Sequence, residues 1–296
     1  MLEFNHITGT KSVFWKNKEG MMKRILMSIF FAFVIALPTF AAYDTAERVP
    51  VVGKQIVTKN GLPSTITFKI VDTDADNSAA TTSKVIEVSK QDLIYAGNDN
   101  EVAAVIAHEI GTVMNAQVSK ENFRNLAKAA LANTLSEDNI INTAANSDFT
   151  NNKISQSDAM DADITGVDLM IAADYNPLAM VVWVTKMPGS FWESIKGDPS
   201  NSKRAMNIYD YLLYNYPSKV KAGYACNEYR FFLTYADPIV EKRNSSEKKL
   251  EKFQKEQAKK KSERAKQIAR YKATGGVNGW DATYTLLENF ANSSEK

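Results

Sequence analysis

The stretch from Glu101 to Ala116, EVAAVIAHEIGTVMNA, decides how the rest of the chain is read. Val102, Val105, Ile106, Ile110 and Val113 recur at the three- and four-residue spacing that lines one face of an α-helix. Just ahead, Asn98 and Glu101 have the spacing of a capping box, in which the Asn side chain accepts from the first free amides and the Glu reaches back. This predicts a helix from near Asp99 to about Val118. Within it, His108 and Glu109 stand side by side in an otherwise apolar segment.

Working outward, Ile66, Phe68 and Ile70 alternate with polar residues, and so do Ile86 and Val88, so two strands are expected, antiparallel and with one face on the core. Beyond the central helix, Phe123, Leu126 and Leu131 predict a second helix over Glu121 to Ala132, followed by a polar loop from Asn133 to Ser157. Helical periodicity resumes at Asp163 with Val167, Leu169, Met170 and Ala173. It must stop near Tyr175, because Pro177 disfavours the helical conformation at Asn176. Leu178 to Met187 and Lys203 to Tyr216 read as further helices, with the loop Gly189 to Ser202 between them. Glu241 to Lys272 reads as one long solvated helix with a thin apolar stripe, and Tyr284, Leu287 and Phe290 as a small amphipathic helix folding back. The fold class implied is α+β and mainly helical, with a small sheet beside the central helix.

A chain of 296 residues, 44% hydrophobic and 24% charged, can bury an ordinary core. Lys23 and Arg24 precede the apolar run Ile25 to Leu37, Pro38 and the small pair Ala41 and Ala42, the layout of a secretory signal peptide. Cleavage after one of those alanines would leave a periplasmic or secreted protein. The organisation expected is 1–42 as upstream extension and signal, 43–240 as the main domain, and 241–296 as a basic helix with a terminal segment. Residues 43–240 carry 17 basic and 24 acidic side chains, whereas 241–272 carry 13 basic and 5 acidic. The basic segment is a candidate for contact with an anionic envelope surface, and no nucleic-acid partner is expected. The only cysteine, Cys226, excludes an internal disulfide, and its GYACNEY surroundings hold nothing that activates a thiolate. No glycine-rich phosphate loop is present.

A His-Glu dipeptide alone carries little information, but HEIGT from His108 to Thr112 has the form of HExxH with its last position changed. The strand, cap and helix VIEVSKQDLIYAGNDNEVAAVIAHEIG, together with DADITGVDLMIAADYNPLAM from Asp161 to Met180, resemble the M48 family of metallopeptidases. The resemblance covers most of residues 65–216. It implies the family's zincin fold, a zinc cofactor, His108 as a zinc ligand and Glu109 as the general base. In that family a Glu four residues before a supporting Asp completes the ligand set. Asp163 matches the supporting Asp, and Ala159 stands at the ligand place. Thr112 stands where the second His ligand belongs, and Asp198 with Pro199 replaces a His-Pro pair ahead of Arg204.

The chain's other histidine, His6, precedes the signal-like run, so a mature chain has one. Substitute ligands would have to be carboxylates, with Asp158 and Asp161 the nearest in sequence to Ala159. Three readings follow: an exported peptidase homologue that binds peptides or unfolded proteins without turnover, an active zinc endopeptidase with an unorthodox ligand set, and an envelope scaffold acting through the basic helix. Under the first, the resemblance places an extended peptide against the strand Val85, Ile86, Glu87 and Val88, with Arg204 nearby.

Overall fold

The computed structural model describes residues 43–72, 84–114, 156–188, 201–273 and 276–293, with residues 156–158 as backbone only. The helix expected over 121–132, Asp198 with Pro199, and the segment 1–42 lie outside the described residues. In chain order the elements are α1 (Thr45–Lys59), β1 (Thr67–Val71), β2 (Val85–Ser89), α2 (Lys90–Leu93) and α3 (99–114). They continue with α4 (Gln156–Ala172), α5 (Leu178–Lys186), α6 (Asn201–Asn215), α7 (Pro217–Ala222), α8 (Asn227–Asn244), α9 (Glu247–Ala273) and α10 (Asp281–Asn292). The architecture is mainly helical with a two-stranded sheet.

Helix α3 begins where its cap predicts. Asn98 Oδ1 accepts from the amides of Asn100 at 3.0 Å and Glu101 at 3.2 Å. Glu101 reaches back one residue further than the usual box, accepting from the Gly97 amide at 2.7 Å. Its carboxylate is buried, and it also receives Lys186 Nζ at 2.7 Å and the Tyr224 hydroxyl at 3.2 Å. The cap therefore ties α3 to α5 and to the segment after α7. From Val102 to Ala107 the helix is buried on all sides, so it is the hub of the core rather than a surface helix.

The strands pair in parallel, with Thr67 opposite Val85 and Val71 opposite Ser89, not antiparallel as the alternation had suggested. Period-two alternation reports which face a strand buries and is silent about direction. The 13 residues from Asp72 to Lys84 are enough chain for the crossover that parallel pairing requires. Helix α1, which the sequence reading did not assign, packs on the sheet and α4 through Val49, Val52, Ile56 and Val57. Those residues have helical spacing, and Pro50 within the helix is what disguised it.

The charged tail also differs from expectation. The single helix from Glu241 to Lys272 is two helices, α8 and α9, parted at Ser245 and Ser246. Helix α9 is not solvated all round: it packs against α6, α8 and α10 and buries Gln257, Ile268 and Tyr271. The described residues from 44 onward accordingly form one compact unit, with α8 and α9 packed on it across residue 240. Helix α10 closes the far side, where Thr283 Oγ1 donates to the Asn60 carbonyl at 3.0 Å beneath α1.

What positions the site is the approach of α3 to α4. A Cβ added to Gly111 would stand 2.6 Å from the Ala162 carbonyl oxygen, and one on Gly166 would stand 3.0 Å from the Ala107 backbone carbon and 3.1 Å from the His108 amide. As numbering rises from 107 to 111 on α3 it falls from 166 to 162 on α4, so the helices run antiparallel with their backbones nearly touching. We expect Gly111→Ala to force them apart and lower the unfolding free energy by about 1–3 kcal/mol in urea denaturation. An unchanged midpoint would mean that the contact is not tight.

Candidate functional site

Helices α3, α4 and α6 bring His108, Asp163 and Arg204 together. Asp163 is fully buried. It accepts from His108 Nδ1 at 2.8 Å on Oδ1, and from Arg204 at both oxygens, Nη2 at 2.8 Å and Nε at 2.9 Å. The carboxylate is an acceptor only, so Nδ1 carries the imidazole proton and the Nε2 lone pair points away from the pair. Trp183 of α5 flanks the ring, its centroid 5.4 Å from that of His108.

The electrostatics of the trio are mutual. Burial pushes the Asp163 carboxyl up, but the Arg204 guanidinium and then His108 outweigh it and hold the group below the usual carboxylate range. Burial pulls the His108 imidazolium down, and the hydrogen bond and charge of Asp163 more than reverse that, leaving His108 above its ordinary 6.5. This arrangement fixes the ring's tautomer and orientation in the manner of the carboxylates that support metal-bound imidazoles.

The rest of the expected ligand set has a different chemistry. Glu109 is buried next to His108. Thr112, one turn beyond His108 on the same face, is also buried, and its Oγ1 has no hydrogen-bond partner among the described residues. Ala159 lies in α4 one turn before Asp163. Thr112 follows His108 by one turn on α3, and Ala159 precedes Asp163 by one turn on the neighbouring antiparallel α4. The two places that zinc would need filled thus offer a hydroxyl and a methyl group.

Of the substitute carboxylates, Asp161 does not repair this. Asp161 lies about 200° around α4 from Asp163, at 100° per residue. It faces the C-terminal side, where its charge acts on Arg264 and Tyr271. Of Asp158 only the backbone position within α4 is described. Among the described residues no three His, Cys, Asp or Glu side chains are grouped to hold a metal ion. Zinc takes three or four imidazole, thiolate or carboxylate donors, and the described residues do not fit it.

The strand predicted to meet a peptide, β2, runs beside β1 with Ile86, Glu87 and Val88 buried and Val85 half-buried. Glu87 is taken up by Lys69 of β1 at 3.0 Å. Arg204 commits two nitrogens to Asp163, so its described role is to hold that carboxylate rather than to line a cleft.

Sequence reasoning missed a second buried charge cluster about one and a half turns further along α4. Asp168 is fully buried and accepts from Tyr211 Oη at 2.6 Å, Tyr216 Oη at 3.1 Å and Arg264 Nη2 of α9 at 2.8 Å. Arg264 also donates to Thr165 Oγ1 at 3.2 Å. Burial first, then the Asp168 charge, pushes both phenols up, so they stay neutral donors. The only hint in sequence is an Asp on the apolar side of α4, and nothing there reveals its partner, 96 residues away.

No curated protein and no solved structure matches the chain. A family model does, over residues 44–212, from the cap of α1 to the buried Leu212 of α6, and its description is Peptidase family M48. That span contains the His108, Asp163 and Arg204 trio, the strand pair and the α3–α4 contact, and it exceeds half of the chain: the protein belongs to peptidase family M48.

Proposed function

We propose that this chain is an exported M48 homologue that has lost its zinc site and binds unfolded polypeptide without hydrolysing it. The observation that carries the reading is the contrast at the α3–α4 contact. The scaffold for a metal-bound imidazole is intact, with Asp163 held by Arg204 and holding His108. The ligand places one turn from His108 and one turn from Asp163 carry Thr112, whose hydroxyl has no hydrogen-bond partner among the described residues, and Ala159. Glu109, the general-base position, therefore has no metal-bound water to activate.

An extended client would add to the small sheet of β1 and β2 through its main chain, the mode in which backbone hydrogen bonds give affinity and side-chain pockets give specificity. Ile86, Glu87, Val88 and Ser89 are already buried, so few side-chain pockets remain on β2. Recognition of this kind tolerates many sequences and suits unfolded proteins.

The test mixes the mature protein with a fluorescently labelled, reduced and carboxymethylated polypeptide and follows anisotropy and fragmentation together. Saturable binding with no new fragments after prolonged incubation is the expected outcome. Fragments that 1,10-phenanthroline abolishes would overturn the reading in favour of an active enzyme with an unorthodox ligand set.

A further inference from the structure

Helix α9 lies beyond the family match and carries most of the chain's excess positive charge. Its rotation is set by the core: Arg264, Gln257, Ile268 and Tyr271 point inward, and the Arg264 pair with Asp168 pins the helix. At 100° per residue, the line opposite that buried face passes within about 30° of Lys248, Lys255, Lys259 and Lys266, with Lys252 and Arg270 about 50° to one side and Glu251 about 50° to the other. All six bases are exposed. The two remaining positions on the line are Ser262 and Ala273, so no acidic residue falls on it. From Lys248 to Lys266 the row extends about 27 Å at 1.5 Å per residue.

The acidic residues of α9 sit to either side. Glu251 pairs with Lys255 at 2.7 Å and Glu263 with Lys259 at 3.8 Å, both from off the ridge. A helix kept soluble by mixed charge would intersperse the two signs. Here they are sorted around the axis by angle, with a purely basic crest and flanks that include acid.

We propose that this crest is a docking surface for an anionic lipid bilayer. A plane touches a convex ridge along its crest alone, and so meets the four lysines on that line first, while the acidic flanks and the acidic body stay behind it. A nucleic-acid groove would close around the flanks and bring Glu251, Glu256 and Glu263 against phosphates. A single-stranded polyanion would need exposed aromatic rings to stack on, whereas Phe253 and Tyr271 of α9 lie toward the buried side. The contact is electrostatic and peripheral, since the crest has no apolar residue larger than alanine to insert. It stands apart from the state of the zinc site.

The test is flotation of the full mature chain with vesicles of phosphatidylcholine alone and of phosphatidylcholine with equimolar phosphatidylglycerol. Binding to the second and not the first is expected, weakening as salt shortens the screening length. Reversing Lys248, Lys259 and Lys266 to Glu should cut the partition by at least about 100-fold, from roughly fivefold for each base near the surface. Reversing Lys54, Lys219 and Lys221, exposed lysines elsewhere, makes the same change in net charge and should cost much less. Equal losses from the two triple variants would overturn the proposal. So would binding to a DNA duplex with none to anionic vesicles.

Discussion

Asp163→Ala is expected to lower the unfolding free energy by about 3–5 kcal/mol, the cost of removing one partner of a buried ion pair. The fully buried carboxylate satisfies three donors, two from Arg204 and one from His108. Without it a largely buried guanidinium has lost its bidentate acceptor. The same change should alter the pH dependence of stability. His108 has a folded pKa raised above 6.5, so its contribution is complete below that value and is lost as pH rises through the raised one. Asp163 has a folded pKa held below 3.8, so its contribution is present above that value and is lost as pH falls through the lowered one. Urea denaturation from about pH 4 to 9 should show stability declining on the alkaline side of 6.5, and Asp163→Ala should flatten that decline. Parallel profiles for the two proteins would mean that His108 is not held by Asp163.

Asp168→Ala should be as costly, again about 3–5 kcal/mol, because Arg264 would remain buried against Thr165 with its charge unpaired. Tyr211 and Tyr216 would lose their common acceptor as well. Since Arg264 is the charged anchor of α9, amide exchange should accelerate along α9 and α10 before it does in α3. A double replacement, Asp168→Leu with Arg264→Met, removes both charges and should recover most of the loss, as buried pairs exchanged for apolar residues often do. If the double variant is as unstable as the single one, the cost lies in packing and the ion pair does not anchor the tail.

The parts of the fold legible in sequence were those set by local chemistry. The Asn98 and Glu101 cap, the apolar spacing of α3 and the stop before Pro177 each follow from interactions within a few residues. The parallel pairing of β1 and β2 was not legible, because alternation is the same for either direction. Helix α1 was hidden by Pro50, although Val49, Val52, Ile56 and Val57 had the right spacing. The tail was misread for a physical reason: two largely buried Arg among 13 basic residues look like the rest, and only the pairing of Arg243 with Asp210 and of Arg264 with Asp168 distinguishes them.

At the site, the resemblance supplied His108, Glu109 and Asp163, and simple matching exposed Thr112 and Ala159 as departures. It did not reveal that Arg204 closes on Asp163 from α6, or that Gly111 and Gly166 let two backbones meet there. The structure adds that the two departures lie one turn from His108 and from Asp163, on the two helices that the hydrogen bond between those residues joins. Restoring both donors together is therefore the direct test of the site.

The most direct measurement is the zinc content of the purified mature chain, by atomic emission after dialysis against trace zinc, beside Thr112→His combined with Ala159→Glu. The account predicts well under one zinc per unaltered chain and close to one per double variant, in which the introduced imidazole and carboxylate would join His108 to complete the donor set. Stoichiometric zinc in the unaltered protein, lost on His108→Ala, would contradict it.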